Sequence, residues 1–148
     1  MNDDCSILNA LEQQLGCYQK LAKLAELQHE HVQRNFTEGL LDVLGLRQEV
    51  LTELATHETL VASVRKAWPE FLEALPAEDR ARAEASMGET RRLLEEIVAA
   101  DRQDAIVLQH RKHSLGQQIY QTQAARKMNR NIAKSAYGKN ESTLNVTR

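Results

Sequence analysis

The chain has 148 residues, of which 42% are hydrophobic, 27% charged and only 4% aromatic, with six Gly and two Pro. That length holds about one domain, and so few aromatic and β-branched residues exclude a sheet-built core in favour of long amphipathic helices. The net charge of −2 hides a division: residues 1–104 hold 11 Lys and Arg against 20 Asp and Glu (11 − 20 = −9), whereas residues 105–148 hold 8 against 1 (8 − 1 = +7).

A first helix is expected from about Ser6, with Asp3, Asp4 and Ser6 as candidate caps. Leu8, Leu11, Leu15, Tyr18, Ala22, Ala25 and Val32 follow a three-four spacing, widened by Leu21, Leu24 and Leu27, which makes a seam for other helices. "RNFTEG" at 34–39 interrupts it, with Asn35 or Thr37 placed to cap the next element. A second helix is expected from about Leu40 to Lys66, with Leu40, Leu41, Leu44, Leu51, Leu54 and Val61 as its stripe. Trp68-Pro69 stops it, since proline disfavours helical geometry in the residue before it.

A short helical turn then leads to Pro76, with Glu78 and Asp79 behind it, a good N-terminal signature. No proline follows, so a third long helix of about 55–60 residues can run to Ala136 at about 1.5 Å per residue. Gly88 and Gly116 are its weak points. Its stripe reads Leu94, Ile97, Ala105, Leu108, Leu115, Ile119, Met128 and Ile132, broken by Asp101. Tyr137-Gly138 reads as a helix stop. The expected fold is all-α: an elongated antiparallel helical bundle or coiled coil of two long helices plus a shorter one, with a long C-terminal helix. One helical domain over 1–138 and a flexible C-terminal tail over 139–148 complete the organisation.

Enzymatic motifs are absent: no Gly-rich phosphate loop, no Cys-X-X-Cys and no nucleophile elbow. No cofactor, metal or small-molecule substrate is expected. His110 and His113 share a helix face but lack a third ligand nearby. Glu26-X-X-His29 is half of a di-iron pattern whose other half, Glu53 with His57, has the wrong spacing. Arg126, Lys127, Arg130 and Lys134 could meet phosphates, yet aromatic platforms are few and the whole chain is acidic. Cys5 and Cys17 lie in a segment with no signal-peptide profile, and no apolar run approaches about 18 residues. A cytoplasmic protein with reduced thiols, not inserted in a membrane, is expected.

Three stretches carry a family resemblance. "GLLDVLGLRQEVLTELATHE" at 39–58 resembles the second helix of FlgN-like flagellar export chaperones, with Arg47 as its basic residue. "EEIVAADRQDAIVLQHRKHSLGQQI" at 95–119 looks like the start of that family's last helix, and "ARKMNRNIAKSAYG" at 125–138 is similar to its basic end. The Trp68-Pro69 break and the acid-free stretch after Asp104 depart from the pattern. The resemblance implies a small type III secretion chaperone that binds C-terminal segments of hook-filament junction proteins and delivers them to the export apparatus. It implies cargo binding by Leu115, Ile119, Thr122, Met128, Ile132 and Tyr137, with Arg126, Lys127, Arg130 and Lys134 steering acidic partners. The alternatives on physical grounds are a homodimeric coiled-coil scaffold and a nucleic-acid-linked regulator.

Overall fold

The computed structural model describes the backbone of residues 2–146 and the side chains of residues 4–136. Among the described residues all regular structure is helical: α1 (Asn2–Gln33), α2 (Thr37–Arg65), α3 (Trp68–Ala74) and α4 (Ala77–Val146). The all-α class expected from composition is the class observed. The chain divides into two units, Met1–Ile106 and Val107–Arg148. The physical reason is burial: among the described side chains of α4 the last buried one is Asp104, and nearly every described residue from 107 onward is exposed. Helix α4 is continuous through Gly116 and passes Gly138, so the stop expected there does not end it. A glycine ends a helix only by leaving helical geometry, and staying costs about 1 kcal/mol. The rest of the expected tail, and the side chain of Tyr137, lie outside the described residues.

The first unit is a bundle whose directions are set by polar cross-links. Gln14 donates to Glu58 at 2.7 Å and Arg47 to Gln28 at 2.6 Å, so α1 and α2 run antiparallel. Arg82 reaches Glu12, and Gln28 reaches Asp104, so the first part of α4 runs parallel to α1. The core fills the end nearest α3: Ile7, Leu8, Ala10, Leu11, Val61, Leu75 and Ala83, closed by Trp68, Phe71 and Leu72. Each fully buried aliphatic side chain of this kind contributes about 1.5–3 kcal/mol. A thinner layer of Leu21, Ala25 and Ile97 follows, with the Cys17 side chain buried between the two layers along α1.

The turns use other residues than the sequence suggests. Asn35 adopts the left-handed conformation (φ 55°), and Phe36 N–H reaches back to the His31 carbonyl at 2.9 Å. That six-to-one bond closes α1 in a Schellman motif, with Asn in the place Gly usually takes. Phe36, which makes no side-chain capping bond, precedes α2. Asn35 therefore ends one helix instead of capping the next, and Thr37 lies inside the first turn. Gly39 is buried so close to the Phe36 and His31 rings that a Cβ there would lie 2.5–2.8 Å from their atoms. At the other corner, the Arg80 guanidinium donates to the Leu72, Glu73 and Leu75 carbonyls, satisfying the end of α3.

Two stripes are shifted from expectation. On α4 the inward face is Ala83, Ser86, Leu93, Ile97 and Asp104, while Leu94 is 43% exposed and Ala105 and Leu108 face solvent. The Leu93-Leu94 pair offers two registers, and the small buried residues Ser86 and Ala83, about two and three turns earlier, select the first. On α2 the buried positions are Gly39, Val43 and Val61, which let α2 approach α1 closely. Leu41 is 63% exposed, and Leu44 and Leu51 are also open to solvent.

Candidate functional site

Asp101, which breaks the apolar stripe in the sequence, belongs to a polar layer at the end of the first unit far from α3. The Arg47 guanidinium grips the Asp101 carboxylate with two hydrogen bonds of 2.8 Å, from Nη1 to Oδ1 and from Nη2 to Oδ2. That fork pushes the Arg47 pKa above its already high usual value. Gln28 accepts from Arg47 and donates to Asp104 Oδ2 at 3.1 Å. Asp104, only 1% exposed, meets His29 Nδ1 at 2.7 Å through its other oxygen. Two residues from α1, one from α2 and two from α4 are thereby tied in a single network, which fixes the heights of the three helices against one another. Paired, bidentate and hydrogen-bonded, it meets the conditions under which buried charge is tolerated.

Beside this layer, Leu51, Leu54, Met87 and Leu94 border an open groove of about 670 Å³ between α2 and α4, with Trp68 at one end and Tyr18 beneath. Its charged residues are one acid and two bases: Glu58 takes two hydrogen bonds from Arg65, and Arg91 also lines the groove. The histidines do not form a metal centre. Among the described residues no three His, Cys, Asp or Glu side chains converge. His29 turns to Asp104, Glu53 pairs with Lys20 at 3.3 Å, and His110 and His113 are exposed.

The second unit carries the residues singled out for partner binding. Leu115, Ile119, Thr122, Met128 and Ile132 are all exposed, as are Arg126, Lys127, Arg130 and Lys134. They do not form one stripe. Along a continuous helix at about 100° per residue, Leu115, Ile119 and Thr122 fall within about 60° of one another, while Met128 and Ile132 point to the far side. There they continue a four-residue row begun by Tyr120 and Ala124, two residues the sequence pattern passed over. Tyr120 is 73% exposed, Met128 64% and Ile132 62%. Arg126, Arg130 and Lys134 form a second four-residue row, and Lys127 lies at its edge. The two rows lie on opposite sides of the helix, separated by about 200°. The spacing of Tyr120, Ala124, Met128 and Ile132 was legible in the sequence as an i, i+4 ridge, the kind that packs into the groove of a crossing helix.

Comparison with known proteins finds no matching family model, no similar curated protein and no similar solved structure.

Proposed function

We propose that the protein is a non-enzymatic, cytoplasmic export chaperone of the FlgN-like kind. It holds an amphipathic C-terminal segment of a hook-filament junction protein on the second unit, prevents premature assembly, and hands the cargo to the type III export apparatus. The observation that carries this reading is the open apolar ridge Tyr120–Ala124–Met128–Ile132 on a regular helix. Large apolar side chains aligned in a row and left in water mark a surface that awaits a partner, and a ridge on one helix fits the groove of another. The sequence resemblances at 39–58, 95–119 and 125–138 give that partner its identity. Leu115, Ile119 and Thr122 form a separate contact area one to two turns earlier, and Tyr137 continues the family's pattern.

Pull-down of a hook-filament junction protein by the full chain tests the proposal. Met128→Asp with Ile132→Asp should abolish capture while leaving the helical signal and melting temperature unchanged. Absence of capture by the unmodified chain, or a tight homodimer that seals the ridge and excludes cargo, would sink it. The dimeric scaffold would then be the better reading.

A further inference from the structure

Residues 107–136 hold six Lys and Arg and no Asp or Glu. In the first unit several exposed arginines have carboxylate partners: Arg82 has Glu12, and Arg92 sits between Glu89 and Glu96. Arg126, Arg130 and Lys134 have no such partner within reach along their own helix, where every neighbour at i±3 and i±4 is neutral or basic. They stand one turn apart, at steps of about 6 Å, on the side of the helix opposite the apolar ridge. We infer that this basic row is a second docking surface, fitted to an acidic protein helix, and that it binds while the apolar ridge is occupied.

The geometry decides among the occupants. A second copy of the same segment would set six positive charges against six, with no acid to relieve them. A lipid surface suits a helix whose basic residues flank its apolar side at headgroup level. Here a helix lying apolar side down would lift Arg126 and Arg130 away from the headgroups. A nucleic acid engages a wider basic surface than one row of three cations at steps of about 6 Å, and the basic side offers no aromatic ring for stacking. An acidic helix matches row for row, because carboxylates at i, i+4 repeat at the same rise as Arg126, Arg130 and Lys134. The inference goes beyond the chaperone reading: it concerns the other side of the helix and a different partner, and it stands without any cargo on the ridge.

Two synthetic helical peptides separate the surfaces in one titration with the full chain. One carries Glu at i, i+4 and no apolar stripe; the other carries a Leu stripe and no net charge. The acidic peptide should bind in low salt. It should bind about tenfold more weakly to the triple variant Arg126→Glu, Arg130→Glu, Lys134→Glu, and it should remain bound when the apolar peptide saturates the ridge. The charge-neutral pair Met128→Ser with Ile132→Ser should leave its affinity unchanged. Four outcomes overturn the inference: no binding of the acidic peptide, its displacement by the apolar peptide, tighter binding of a DNA duplex or anionic vesicles under the same salt, or a salt-sensitive homodimer that the triple variant dissolves. Failure of the apolar peptide alone to bind counts against the chaperone reading and leaves this one intact.

Discussion

The two stretches of α4, residues 77–106 and residues 107–136, share a backbone conformation but owe it to different causes. In the first, Ala83, Leu93, Ile97 and Asp104 are buried against α1 and α2, so tertiary packing holds the helix. In the second the described side chains are almost all exposed, and the helix rests on composition: Gln, Ala, Arg, Lys and Met are strong helix formers with little rotamer freedom to lose. One stretch has spent its apolar surface on folding. The other leaves its large apolar side chains, Ile119, Met128 and Ile132 among them, in water.

Substitution can break that comparison, and the largest effect belongs to the polar layer. Asp104→Ala removes the acceptor for Gln28 and His29 at a buried point, and should lower unfolding free energy by about 3 kcal/mol in urea titration. Asp104→Asn should lose less, because the amide still bonds to Gln28. Next comes a matched pair. Ile97→Ala, in the core, should cost about 2–4 kcal/mol, whereas Ile132→Ala should stay within about 0.5 kcal/mol. Equal losses for the two would show that residues near 132 are packed in solution. The smallest contrast uses glycine. Neither Gly88 nor Gly116 has an atom within 4 Å of an added Cβ, so alanine fits both and should stabilise the helix by up to about 1 kcal/mol. Gly88→Ala should raise the melting temperature, while Gly116→Ala should slow hydrogen exchange only in its own neighbourhood.

The sequence made the helices legible because their periodicity is long and proline marks the breaks. What it hid were registers. Leu93 and Leu94 are chemically equal candidates for the same seam, and only the face that Ala83 and Ser86 turn inward chooses between them. The leucines of α2 misled for a related reason: Gly39, Val43 and Val61 pack closer to α1 than leucine could, so the bulkier side chains were left outside. Asp101 stood out as an interruption, but its partner Arg47 lies 54 positions away, beyond any local pattern. Leu115, Ile119, Thr122, Met128 and Ile132 are exposed. Their division between two sides of the helix follows from the unbroken run through Gly116, which the sequence left open.

The burial of Cys17 gives the protein an internal gauge. Cys5 is exposed and Cys17 is not, and burial, ahead of the nearby Glu53 carboxylate, raises the Cys17 thiol pKa above its usual value. A thiol-modifying reagent therefore meets one sulfur at once and the other only when α1 separates from its neighbours. The delay between the two events times the breathing of the bundle, without any label having to be engineered into the chain.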